Sequence, residues 1–233
     1  MKSVYNLKFS IHQTRNPSPF DVELVENAFL LWHLSWRRTF NELGVNVNLR
    51  SDDFLDREMG LLTDNNQPIG MLFYNWLDTS RLSNRLHSYF KDYPPSVLEI
   101  VPQSKIMLIS YMTLHESWRW RFTDVPVSEM LIGFSVKRFL QSDAKILLGY
   151  FRNEKRTNQM FYSHGGRPIL TNHTTYNVDV DYAFIDKELA HDSTNQYVAE
   201  AVNTLWSQWL GSKGLSRPPH GLGRGNFKKA TLA

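Results

Sequence analysis

The 233-residue sequence predicts an α/β chain of the mixed α+β kind, in which a central mixed sheet is flanked by helices. Three observations predict it. Apolar runs at 106–109 and 144–151 enclose a stretch of helical periodicity at 128–141, the pattern of a strand–helix–strand unit with parallel strands and a right-handed crossover. Two further apolar runs, 59–62 and 69–77, flank the turn-forming Asp64-Asn65-Asn66-Gln67-Pro68 and read as an antiparallel hairpin. Amphipathic helices stand on either side of these strands, so both faces of the sheet have a cover.

Taken in order, Val25, Phe29, Trp32, Trp36, Phe40 and Leu43 recur at helical spacing, so residues 21–43 form a long helix ended by Gly44. The hairpin follows. Residues 79–90 suggest a short helix, broken by Tyr93-Pro94-Pro95. Residues 105–115 form the central strand, whose unbroken Ile106-Met107-Leu108-Ile109 implies cover on both faces. In the helix 128–141 the apolar side holds Met130, Leu131 and Phe134. After the strand 144–151, a helix over 155–164 closes at Gly165-Gly166. Tyr176, Val178, Val180 and Tyr182 alternate with Asn177, Asp179 and Asp181, giving one half-exposed strand. Ser193 and Gln196 form a capping box for a last helix, with Tyr197, Val198, Val202, Leu205 and Trp209 on its apolar side. Gly211 ends it.

Composition narrows the chemistry. Hydrophobic residues are 42% and aromatics 13%, so the chain can bury a sizeable core and is not disordered as a whole. The absence of Cys excludes disulfides and thiolate nucleophiles. With no apolar leader and no run long enough to cross a bilayer, the expected location is cytoplasmic. The formal net charge is +3. Lys213, Arg217, Arg224, Lys228 and Lys229 meet no acid in residues 211–233, so residues 1–210 are a near-neutral domain and 211–233 a basic, Gly- and Pro-containing tail. That tail is either a solvated end or a steering patch for an acidic partner.

The residues with chemical potential cluster after the central strand. Glu116 is followed three positions later by Arg119 and then by Trp120. Asn153 follows the strand 144–151, and Phe161-Tyr162 precede Gly165-Gly166. In the order of its elements and in these positions, the chain resembles the GNAT acyltransferase superfamily over residues 20–186. In that fold the helix after the central strand receives the donor's phosphates at its N-terminus, which here is the segment 120–130. The loop from Glu116 to Pro126 contains no Gly, which points away from acetyl-CoA. The Glu, Arg, aromatic spacing is similar to that of autoinducer (acyl-homoserine lactone) synthases and long-chain N-acyl amino acid synthases. The resemblance therefore implies an N-acyltransferase whose thioester donor is carried by the phosphopantetheine of acyl carrier protein or by coenzyme A. No tightly bound cofactor or metal is expected. A small-molecule amine, an amino acid among the options, would accept the acyl chain, and nucleic acid is not expected as a partner.

Roles follow from the chemistry of N-acylation, which must remove a proton from the amine, stabilise an oxyanion and protonate sulfur. Glu116 is the candidate base. Arg119 either pairs with Glu116 or grips an acceptor carboxylate. The resemblance makes Tyr162 the candidate acid, though a tyrosine there can equally be a packing residue. Ser117, Trp118, Trp120, Arg121 and Asn153 are candidates for contact with the donor. Trp118, Trp120 and Phe122, together with Trp32, Trp36, Phe73 and Trp76, form either ordinary core or the wall of an acyl tunnel. Lys137 and Arg138 add charge for a phosphate or an acidic carrier surface. His115 reads as a packed or surface residue, Asp52, Asp53 and Asp56 as solvated acids. His164 and His173 lack a metal spacing, and no Ser–His–Asp triad is assignable from residue order. Two other readings remain: a conventional acetyltransferase with an unusual loop, and a non-catalytic module of the same fold with a basic tail.

Overall fold

The computed structural model describes residues 3–55, 57–119 and 124–212. Asp56, the loop residues 120–123 and the basic tail from residue 213 lie outside the described residues. Seven strands form one sheet in the order β1-β2-β3-β4-β5-β7-β6. They are β1 (Lys8–Gln13), β2 (Glu58–Asp64), β3 (Gln67–Asp78), β4 (Lys105–Leu114), β5 (Ile146–Arg152), β6 (Arg167–Thr175) and β7 (Val178–Asp186). Every neighbouring pair is antiparallel except β4 and β5, which are parallel. The helices are α1 (Val22–Glu42), α2 (Leu82–Arg85), α3 (Pro95–Ile100), α4 (Val127–Leu140), α5 (Thr157–Tyr162) and α6 (Gln196–Ser212). The mixed sheet flanked by helices is as expected.

Alternation along the strands sorts the core onto two faces. Leu72 and Tyr74 of β3, Met107 and Ile109 of β4 and Leu147 of β5 point to one face, where they pack with α4, α5 and α6. Met71 and Phe73 point to the other face and meet Val25, Ala28 and Trp32 of α1. On that same face Ile106, Leu108, Ile146 and Leu148 meet α3 through Val97, together with Phe90 and Tyr93. The second face thus carries two separate apolar clusters. Glu58 and Arg138 join α4 to β2 by a two-pronged ion pair, with Nε–Oε1 at 2.6 Å and Nη2–Oε2 at 3.0 Å. The Arg138 guanidinium also covers the Trp76 ring, 4.8 Å from its centroid.

The structure corrects several elements. Strand β1 is an addition to the expected elements, because its Lys-Phe-Ser-Ile-His-Gln alternation is short and lies at the sheet edge. Strand β6 was missed for the same reason, being polar and mostly solvent-facing. The strand expected over 176–182 is the second half of a hairpin: Tyr176 and Asn177 take left-handed φ of 52° and 60° and form its turn. The helix expected over 79–90 is only α2 plus a 3-10 turn, Ser88–Phe90. There Thr79 Oγ1 donates to the carbonyls of Pro102 and Ser104 and ties the chain to the entry of β4. Asn195, not Ser193 with Gln196, caps α6, through Oδ1 accepting from the Tyr197 amide at 3.1 Å. That helix runs past Gly211 to Ser212.

Two irregularities position the site. Strands β4 and β5 pair only over residues 106–108 and 146–148, after which β4 continues to Leu114 and β5 to Arg152 without pairing to each other. Opposite this gap, Met71 pairs with Thr113 but Phe73 with Ser110, so Tyr111 and Met112 face the single residue Leu72. This is a β-bulge, with Tyr111 at φ 52°. Thr113 Oγ1 donates to the Tyr111 carbonyl at 2.8 Å and accepts from Trp36 Nε1 at 3.0 Å, so α1 clamps the bulge.

Candidate functional site

The parting of β4 and β5 interrupts hydrogen bonding in the middle of the sheet. On the face of α1 and α3, the inward positions of central strands are normally sealed, as Phe73, Ile106 and Leu108 are here. Asn75, Ser110, Tyr111 and Tyr150 on the same face remain only half-buried. They floor a recess between the α1 cluster and the α3 cluster. Arg57 and Tyr89, also half-buried, stand beside it. The Arg57 guanidinium lies over three rings, 5.2 Å from the centroid of Phe73, 5.4 Å from Tyr89 and 5.2 Å from Tyr111. Tyr111 meets Trp32 and Trp36 edge-on at 5.6 and 5.0 Å. Burial, reinforced by Asp53 and opposed by Arg57, pushes the Tyr111 hydroxyl up to about 12. Burial also raises Tyr89, against the pull of Arg57, and holds Tyr93 and Tyr150 well above the usual phenol range. The recess therefore presents neutral hydroxyls around one cation.

On the opposite face, at the outer end of β5, Asp181 gathers four donors. Its Oδ2 accepts from Tyr162 Oη at 2.7 Å and Asn158 Nδ2 at 2.8 Å; its Oδ1 accepts from Asn153 Nδ2 at 3.0 Å and the Asn172 amide at 2.9 Å. Burial raises the Asp181 carboxyl, but these hydrogen bonds outweigh it and the net direction is down. For Tyr162 burial and the Asp181 charge act together and raise the phenol far above its ordinary value. Tyr162 and Asn153, both expected from the resemblance, thus share a partner whose place in the alternating strand suggested an exposed position. Asp181 is in fact 4% exposed. A carboxylate in an alternating strand with two Asn and a Tyr arriving from the preceding loop and helix was the available signal.

At the end of β4, Glu116, Ser117 and Trp118 form a 3-10 turn. His115 Nδ1 accepts from the Ser117 amide at 3.3 Å and bonds the Ser117 hydroxyl at 2.9 Å. Glu116 is exposed, and its paired cation is Arg38 of α1 at 3.1 Å rather than Arg119. Arg119 is exposed at the end of the turn. Trp118 is buried in the core on the α4–α6 face. Trp120, Arg121 and Phe122 lie outside the described residues.

The tunnel wall does not assemble as one surface. Trp32, Trp36 and Phe73 belong to the α1 face, whereas Trp76 and Trp118 belong to the other, because strand alternation separates Phe73 from Trp76. Lys137 and Arg138 are also committed, to Asp192 at 2.7 Å and to Glu58, and are not spare charge for a phosphate. At the start of α4, Glu129 lies buried in the first turn and accepts from the hydroxyls of Ser163 and Ser193. Asp124 just ahead of it accepts from the Val4 amide.

Burial lowers His164, whose Nδ1 faces the His191 carbonyl at 3.3 Å. Among the described residues no group of three His, Asp or Glu could hold a metal ion. A Ser–His–Asp alignment, invisible in residue order, does occur: Ser10 Oγ is 2.7 Å from His12 Nε2, and His12 Nδ1 is 3.5 Å from Asp21. It pins the edge strand β1 to the start of α1, remote in the sheet order from the gap. No helix among the described residues is long and apolar enough to cross a membrane.

No family model matches the chain and no curated protein matches it. Solved structures do. The AHL synthase LasI is 16% identical with a TM-score of 0.56, over 78% of this chain and 90% of that one. BjaI, a CoA-dependent acyl-homoserine lactone synthase solved with SAM and isopentyl-CoA, is 15% identical with a TM-score of 0.57, over 84% and 88%. FeeM, an N-acyl amino acid synthase from uncultured soil microbes, is 11% identical with a TM-score of 0.50, over 78% and 91%. The chain has the GNAT-like fold that these proteins share.

Proposed function

We propose that this chain is an N-acyltransferase that moves an acyl group from a thioester donor to an amine. One observation carries the reading: two central parallel strands pair over three residues and then part, leaving a gap with a recess on one face and Tyr162 on the other. A thioester lying in the gap would expose its carbonyl to an amine held in the recess. The amine nitrogen attacks the carbonyl carbon, the C–S bond breaks, and the amide forms as the thiol leaves. Glu116 takes the proton lost by the amine, directly or through water, with Arg38 orienting its carboxylate. Tyr162, kept protonated by burial and by Asp181, gives a proton to the departing sulfur. Asn153, Ser117 and the loop residues Arg119, Trp120 and Arg121 contact the donor, with Trp118 as a buried support.

Among donors, acyl carrier protein fits better than free acyl-CoA. Glu129 in the first turn of α4 and Asp124 before it add negative charge near the start of that helix, and like charge weakens the helix end as an anion site. The basic tail would suit an acidic carrier surface, and a cytoplasmic setting would suit that carrier.

The test uses the absence of Cys: a thiol reagent added to the purified chain reports only thiol released from the donor. Acyl carrier protein and coenzyme A thioesters of several chain lengths are each offered with a mixture of amines, and products are read by mass spectrometry. Amine-dependent thiol release with a matching N-acyl product is expected. Release at the buffer rate with every donor would overturn the proposal.

A further inference from the structure

We infer that Ser10, His12 and Asp21 form a second, hydrolytic site in which Ser10 is a nucleophile for carboxylic esters, independent of the acyl-transfer reading above. Ser10 and His12 occupy alternate positions of β1 and face the α1 side of the sheet, opposite Leu61 and Met59 of β2. Ser10 Oγ lies 2.7 Å from His12 Nε2, the distance of a hydroxyl donating to an imidazole. The far ring nitrogen, Nδ1, stands 3.5 Å from Asp21 Oδ2, and Ser18 Oγ donates to that same oxygen at 2.7 Å and holds it in place. The His12 side chain is 8% exposed, whereas Ser10 is half-buried, so the base is shielded and the hydroxyl it holds can be reached. A carboxylate on the Nδ1 side favours the tautomer whose Nε2 can take the serine proton, and it stabilises the imidazolium that results.

The sheet edge supplies the other part such a site needs. The Thr14 amide donates to the Arg57 carbonyl at 3.0 Å, which fixes the parity of the β1–β2 ladder. Lys8, Ser10, His12 and Thr14 turn their amides and carbonyls toward β2, and Phe9, Ile11 and Gln13 turn theirs away from it. Because β1 ends the strand order among the described residues, the Ile11 amide meets no further strand and is a donor beside Ser10 for the oxygen that gains charge. In the reaction Ser10 Oγ bonds to the ester carbonyl carbon as its proton passes to His12 Nε2. The carbon–oxygen bond to the alcohol then breaks, and His12 returns the proton to the departing oxygen. Water attacks the acyl-serine and gives a proton to Nε2, and the acid leaves as Ser10 Oγ takes that proton back. An ester fits this site better than an amide. At 3.5 Å Asp21 supports the imidazolium only weakly, and an alcohol oxygen needs less help to leave than an amine nitrogen does. Phe20 and Val22, exposed on either side of Asp21 in the chain, give an apolar margin suited to a short acyl group.

A biotinylated fluorophosphonate, which modifies serines made nucleophilic by a base, is incubated with the full chain, and the modified residue is located by mass spectrometry of its peptides. Ser10 should be labelled, and heating the chain beforehand should abolish the labelling. His12→Gln should slow it by about 100-fold or more, the share that a positioned base supplies. The chain should also hydrolyse p-nitrophenyl butyrate with no amine present, and Ser10→Ala, a small change at a half-buried position, should return that rate to the buffer's. Asp21 touches no substrate and is a positioning residue, so its readout is the imidazole itself. Long-range nitrogen–proton NMR spectra should show His12 with its proton on Nδ1 in the wild type and on Nε2 in Asp21→Asn. Failure of Ser10 to label, labelling that survives heating, or hydrolysis that is absent or unchanged in Ser10→Ala overturns the inference. So does a wild-type His12 protonated on Nε2 alone, because that nitrogen cannot receive the serine proton.

Discussion

Asp181 shows most clearly how a single side chain is fixed by its surroundings. Four donors converge on a nearly inaccessible carboxylate, and hydrogen bonds to a buried charge contribute about 1.5–3 kcal/mol each when one partner is lost. Asp181→Asn should therefore lower stability by about 3 kcal/mol, measured by urea denaturation at pH 7. The carboxyl is held below its ordinary range in the folded chain, so its stabilisation is complete above that range and is lost as pH falls through the folded value. The gap between wild type and Asp181→Asn should accordingly close in acid. Glu116 makes a different case, because it is exposed and paired to Arg38. Removing a surface pair costs little, about 0–1 kcal/mol, so Glu116→Gln should leave the melting curve almost unmoved. With Glu116 as the base, the same change should cut turnover by at least tenfold, and by about 100-fold or more where the group supplies its usual share. Unchanged turnover would remove Glu116 from the mechanism.

At the scale of elements, irregular geometry rather than regular periodicity makes the site. The bulge in β4 puts Ser110 and Tyr111 on the same face, where strict alternation would have sent one of them to the other side. Trp36→Phe removes the indole donor to Thr113 and should loosen that bulge, raising the KM for the acceptor more than it changes the donor's. Gly165, which follows α5, is a second enforced position. Its φ is +94°, and a Cβ would stand 2.2 Å from the Leu189 carbonyl oxygen. Gly165→Ala should cost about 1–3 kcal/mol, read as a fall in thermal midpoint, because neither the backbone angle nor the carbonyl can adjust cheaply. The Asn65-Asn66 turn is the opposite situation: both residues take left-handed φ, as a two-residue hairpin loop requires, and the sequence announces it.

For the molecule as a whole, the gap predicts a ligand response. A thioester that fits between β4 and β5 binds the folded chain alone, and at a hundredfold excess over its Kd should add about 2.7 kcal/mol of stability. A clear upward shift in thermal midpoint with acyl donor, absent with free thiol or free acid, is the expected outcome. The sequence determined the parts with strong local signals. The apolar run at 106–109 demanded a strand covered on both faces, the spacing of Val25, Trp32 and Phe40 demanded a one-sided helix, and the turn residues 64–68 announced a hairpin. It also held the order of elements from which two neighbouring parallel strands were expected. Tertiary structure alone decided what meets at the gap. Edge strands such as β1 and β6 pair on one side and expose the rest, so their composition carries little signal. Asp181 and Arg57 look like ordinary surface residues in a linear reading. They become buried hub and ring-covered cation only because segments more than twenty residues distant fold over them. Burial and partnership are properties of three-dimensional packing, and a carboxylate or guanidinium has no chemistry to declare until its neighbours are set.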